Sequence, residues 1–123
     1  MSRAKLKNLV KKLTIILKEL LSFHLMLPGS FNEVYCKCGK ENCWCHDKDG
    51  HPFRRITWSE NGLSKTKAIP KEDTNWIINV TKSYRIFRKK RREIKKLEKQ
   101  LKGLLDDYEK NIIQKTRKLK NYL

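Results

Sequence analysis

The run Phe53-Arg54-Arg55-Ile56-Thr57-Trp58-Ser59-Glu60-Asn61-Gly62-Leu63-Ser64-Lys65-Thr66-Lys67-Ala68-Ile69 sets this chain apart from an all-helical one. Asn61-Gly62 supplies both left-handed positions of a type I′ turn, and the flanking residues read as two strands of a β-hairpin. Alternation along the first strand puts Phe53, Arg55, Thr57 and Ser59 on one face, and Arg54, Ile56, Trp58 and Glu60 on the other. A two-stranded hairpin is marginal alone, so this one needs a metal knuckle or a helix to lean on.

Helical periods lie on both sides of it. From Arg3 to Met26, the residues Leu6, Leu9, Val10, Leu13, Ile16, Leu17, Leu20, Leu21 and His24 fall on one side and most lysines on the other, with Pro28-Gly29 as the expected stop. This wide apolar stripe is read as packing within the fold rather than as a membrane-surface helix. Beyond Pro70, Glu72 and Asp73 suit a helix N-terminus. Apolar residues then recur from Ile77 to Ile112 at spacings of three and four, which predicts a coiled coil or a helical hairpin broken near Gly103. The expected fold is mainly α with a small β part. Its segments are an N-terminal amphipathic helix (1–29), a zinc knuckle with β-hairpin (30–70) and a long basic helix or coiled coil (71–123).

Composition narrows the function. Across 123 residues, 30 Lys+Arg against 13 Asp+Glu give a formal net charge of +17, and only 38% of residues are hydrophobic. Residues 61–123 alone carry 19 basic and 7 acidic side chains. So small and charged a chain has little room for a deep substrate cleft, and no triad, carboxylate pair or phosphate-binding glycine loop is visible, so it reads as no enzyme. A strong positive field favours polyanions, above all nucleic acid. No stretch approaches the roughly 18 apolar residues of a membrane span, so no membrane partner is expected. With no signal-peptide cleavage pattern, the protein reads as cytoplasmic, and nucleoid-associated when bound to DNA.

The cysteines sit in Tyr35-Cys36-Lys37-Cys38-Gly39-Lys40-Glu41-Asn42-Cys43-Trp44-Cys45-His46, followed by His51. Two Cys-x-Cys pairs and two histidines within 16 residues meet the ligand count of a tetrahedral Zn²⁺. Disulfides do not suit a reducing compartment, no Cys-x-x-Cys opens a helix, and the spacing fits no common ferredoxin. Structural zinc is therefore the expected cofactor.

The run Cys38-Gly39-Lys40-Glu41-Asn42-Cys43-Trp44-Cys45, then His51-Pro52-Phe53, the hairpin, and Ile69-Pro70-Lys71-Glu72 resembles a family of small prokaryotic proteins associated with mobile elements. Their pattern is C-G-K-x-x-C-x-C, H-G-P-aromatic, a hairpin, then V-P-K-E and a long helix. Length and layout are also similar to the small accessory regulator encoded beside paired tyrosine-recombinase transposases. The resemblance implies Cys38, Cys43, Cys45 and His51 as metal ligands. The chain departs from the pattern at Pro52 and adds Cys36 and His46 as alternates. His51 is favoured over Cys36 as fourth ligand because it ties the loop to the hairpin.

The basic run Arg88-Lys89-Lys90-Arg91-Arg92 lies in a stretch with no acid from Thr81 to Lys90. Arg88, Lys89, Arg91 and Arg92 are the expected phosphate contacts on double-stranded DNA, with Arg54, Arg55, Lys65 and Lys67 of the hairpin as secondary ones. The expected function is a zinc-stabilised DNA-binding accessory protein of transposition or site-specific recombination. Such a protein clamps DNA backbone and docks its helix on a recombinase or transposase, or on a second copy. An RNA-binding or ribosome-associated zinc module and a coiled-coil interaction adaptor are the competing readings.

Overall fold

The computed structural model describes residues 2–37, Gly39, Asn42, Trp44 and 50–123. The elements run α1 (Ser2–Leu21), β1 (Ser30–Cys36), β2 (His51–Glu60), β3 (Leu63–Ala68), a short 3₁₀ turn (Lys71–Asp73) and α2 (Thr74–Arg117). The fold is mainly α with a small three-stranded antiparallel sheet in the order β1-β2-β3. The chain divides into two compact units, residues 25–86 and residues 1–24 with 87–123.

In the unit of residues 25–86, the hairpin forms as the sequence predicts. Asn61 and Gly62 take φ of 53° and 78°, the left-handed pair that a two-residue loop demands. Register runs from Arg55 opposite Ala68 to Glu60 opposite Leu63, and the Thr57 and Thr66 hydroxyls meet at 3.2 Å across the pair. Ile69 N–H donates to Arg54 O at 2.9 Å just past the end of β3. Ile56 is the inward residue at the middle of β2, and it buries with Ile77 and Val80 of α2 to 5% exposure each. Phe31, Trp58 and Ile69 pack around that cluster. The helix thus covers one face of the sheet. Thr81, 1% exposed, donates its hydroxyl to Ile77 O at 2.8 Å, so burying it leaves no unmet polar group.

Strand β1 is not anticipated by the sequence pattern. Its inward row includes Glu33, whose carboxylate is 4.0 Å from the Arg54 guanidinium, and this charge breaks the apolar alternation that announces a strand. On the other face, Val34 sits opposite Phe53.

The unit of residues 1–24 and 87–123 is an antiparallel helix pair. Phe23 meets Phe87 edge to face at 5.8 Å, Glu19 pairs with Lys90, Ile16 and Leu97 line one groove, and Leu9 and Leu104 line another. Rising numbers on α1 thus match falling numbers on α2. Helix α1 ends at Leu21, short of the expected Met26. Ser22 donates both its N–H and its hydroxyl to Glu19 O, a tight i−3 closure that competes with the α pattern. Helix α2 runs unbroken through Gly103, so of the two forms left open it is not the hairpin. One interior glycine costs only about 1 kcal/mol, less than packing on both sides returns. Leu101 and Leu104 are half-buried here, so they belong to the fold before any interface.

Two outcomes follow from this packing. Ile77→Ala should destabilise the 25–86 unit by about 2–5 kcal/mol, read as a lower urea midpoint of Trp fluorescence. An unchanged midpoint would place the core elsewhere. Nothing lies within 4 Å of a Cβ added at Gly103, so Gly103→Ala should stabilise the helix pair by roughly 0.5–1 kcal/mol in thermal unfolding. A destabilised Ala variant would mean that the helix needs the glycine's freedom.

Candidate functional site

The last register pair of β1 and β2 is Cys36 opposite His51. Directly opposed residues share a face with Cβ atoms about 5 Å apart, so a thiol and an imidazole stand side by side at the ends of these two strands. Between them the chain makes a loop of 14 residues, 37–50, which carries the remaining cysteines and His46. Cys38, Cys43, Cys45 and His46 lie outside the described residues. Among the described residues, Cys36 is exposed, and the Trp44 ring meets the His51 ring edge to face at 4.8 Å. The loop returns through Gly50, which is buried with φ of 116°. A Cβ there would lie 2.5 Å from the Cys36 carbonyl carbon and 2.8 Å from Lys37 N. Only glycine closes the loop so tightly. The two described donors fit a Zn²⁺ site in their chemistry, one thiolate source and one imidazole, and in their shared face at the loop mouth. The sequence placed Cys36 and His51 in competition for one position; the sheet sets them next to each other.

The cationic residues divide by environment. On α2, Arg88, Lys89, Arg91 and Arg92 are all exposed, whereas Lys90 turns to Glu19 on α1. Lys90 therefore belongs to the helix pair. In the sheet, alternation sends Arg54 and Arg55 to opposite faces. Arg54 approaches Glu33, and Arg55 is half-buried with its Nε enclosed and without a hydrogen-bond partner among the described residues. Lys65 pairs with Glu60 at 3.2 Å, and the same carboxylate accepts from Trp58 Nε1 at 3.2 Å. Lys67 is exposed beside a groove of about 350 Å³ that includes Trp58, Ile56 and Ile77. The four hairpin cations thus do not form one patch, while those of α2 lie on a single exposed rod. The sequence reading ran past Lys102, which continues the basic face beyond the run. The signal was present in the spacing of lysines C-terminal to Arg92.

Among the described residues, no helix is long and apolar enough to cross a membrane. A family profile described as "Domain of unknown function (DUF6788)" matches residues 4–77, a span from α1 through the sheet and the cysteine loop into the first turn of α2. The basic run of α2 lies beyond it. No curated protein and no solved structure matches the chain.

Closure at Gly50 yields a direct check. On the expectation that the loop holds zinc, Gly50→Ala should open the loop mouth and lower the zinc content per chain below that of the parent by elemental analysis. Far-ultraviolet circular dichroism should stay close to that of the parent. Full zinc content in the variant would show that the Gly50 turn does not shape the site.

Proposed function

The chain belongs to the DUF6788 family, and we propose that it is a zinc-stabilised, non-enzymatic DNA-binding protein that acts as an accessory or regulator of transposition or site-specific recombination. The observation that carries the DNA-binding part is the exposed, acid-free set Arg88, Lys89, Arg91 and Arg92 on an unbroken helix. Phosphate contacts of this kind give affinity without sequence information, and release of counterions drives them. The link to a recombinase or transposase rests on the motif resemblance of Cys38–Cys45 and His51–Phe53. With that link go a cytoplasmic location and association with the nucleoid through DNA.

The zinc has a structural role in this reading. Cys38, Cys43, Cys45 and His51 hold it, with Cys36 and His46 as alternates, and it supplies folding energy to a loop that has little apolar material of its own. His51 connects the metal to β2. Arg54, Arg55, Lys65 and Lys67 act as secondary DNA contacts, Arg55 and Lys67 being the two with no acidic side chain paired to them among the described residues. Docking on a partner protein or a second copy is favoured by exposed apolar side chains on α1, among them Val10, Leu17 and Leu21, which the helix pair leaves uncovered. RNA is the competing ligand for the same cations.

Replacing Arg88, Lys89, Arg91 and Arg92 together with Gln should weaken duplex DNA binding about equally across sequences. It should also flatten the log–log salt slope, by roughly 0.9 per lost phosphate contact. Fluorescence anisotropy on a labelled duplex at several salt concentrations measures both. A variant that binds as tightly as the parent would reduce the run to a solvated helix face.

A further inference from the structure

The exposed face of α2 is organised beyond the run that the sequence singled out. Arg88, Arg92, Lys95 and Lys99 follow one another at separations of four, three and four residues, so they form one row along the helix. Lys89 and Lys96, seven residues apart, border this row on one side; Arg91 and Lys102, eleven apart, border it on the other. All eight are exposed. Glu93 and Glu98, the only acids from Arg88 to Lys102, fall outside both borders. The opposite side of the same segment carries Phe87, Ile94, Leu97, Leu101 and Leu104, half-buried in the helix pair. The cationic band therefore faces away from α1, over a rod of about 21 Å.

We infer that residues 88–102 of α2 form a major-groove reading helix, with Lys95 and Lys99 directed at base edges, and with Arg88 and Arg92 at the start of the same row joining the two borders on the phosphates of the two strands. The inference rests on the DNA-binding reading above and gives it a geometry. A helix is about 10–12 Å across and the major groove of B-DNA about 12 Å wide, so a helix seated there meets one phosphate backbone on each side. A cationic band with charged borders on both sides matches that arrangement. A helix lying across a single strand would use one border only. Lys95 and Lys99 facing the groove floor find the O6 and N7 acceptors of guanine, which gives a preference for G·C steps that pure backbone contact lacks. The major groove of A-form RNA is deep and narrow, and side chains do not read it. The occupant is therefore B-form DNA.

The test compares ligands and variants of the full chain, loaded with zinc, by anisotropy at fixed salt. The ligands are a G·C-containing DNA duplex, the same duplex with guanine replaced by 7-deazaguanine, and the RNA duplex of the same sequence. The DNA duplex should bind about tenfold more tightly than the RNA duplex, and removal of N7 should weaken binding several-fold. Lys95→Gln with Lys99→Gln should cost about tenfold and abolish the 7-deazaguanine effect. Lys110→Gln with Lys115→Gln, an equal loss of charge on the same helix, should cost no more than about threefold. Circular dichroism should show equal helix content in both variants, since all four side chains are exposed. Equal binding of RNA and DNA duplexes, indifference to N7, or equal loss in the two variants would overturn the groove assignment while leaving DNA binding itself intact. Failure of the parent to bind any polyanion at low salt would overturn both.

Discussion

The burial of Ile56 against Ile77 and Val80 is the contact on which the 25–86 unit depends. A three-stranded sheet with one uncovered face and so many charged side chains is not stable by itself, and these three side chains are its buried hydrophobic core. They hold β2 against the first turns of α2. Strand β1 then takes its register from β2, and that register brings Cys36 opposite His51. The mouth of the cysteine loop is thus set by hydrophobic packing several residues away. Gly50 completes it by turning where no side chain fits.

Core size explains the division of labour. With so little apolar material, each unit covers only part of its own surface. In the helix pair, α1 spends one seam on α2 and leaves Val10, Leu17 and Leu21 exposed. In the other unit, a loop of 14 residues with many polar side chains has almost nothing apolar to bury. Zinc ligation is the proposed remedy for the loop, and a protein partner the proposed remedy for α1. The charge on α2 needs no remedy, because a rod fixed by packing on one side holds its cations in rows on the other. Entropy lost in ordering those side chains is small next to that of a flexible basic tail.

Much of the fold was legible in the residues. Asn61-Gly62 announced the hairpin through backbone sterics alone, and the alternation of Ile56 and Trp58 with Arg55 and Thr57 separated its two faces, of which packing against α2 makes the Ile56 face the inner one. The helices were legible from their periods. Strand β1 was not, because Glu33 sits in the inward row and its ion pair with Arg54 joins residues 21 apart, which no local pattern reveals. The choice left open at Gly103 was illegible for a related reason: a local propensity cost of about 1 kcal/mol does not say whether tertiary packing carries the helix through. At the candidate site, the cysteine and histidine inventory was plain in the sequence, but the pairing of Cys36 with His51 depends on β1. Of the basic residues, sequence gave the run and structure gave its directions: Lys90 toward Glu19, Arg54 toward Glu33, and the outer row continued to Lys99.

The central claim is that this protein holds the phosphate backbone of duplex DNA through cations fixed on α2. The salt dependence of the unmodified protein's affinity for a short duplex tests it most directly. Neutralisation of four or more phosphates predicts a log–log slope of about −3.6 or steeper. A slope near zero, or an affinity too weak to measure at low salt, would contradict the account.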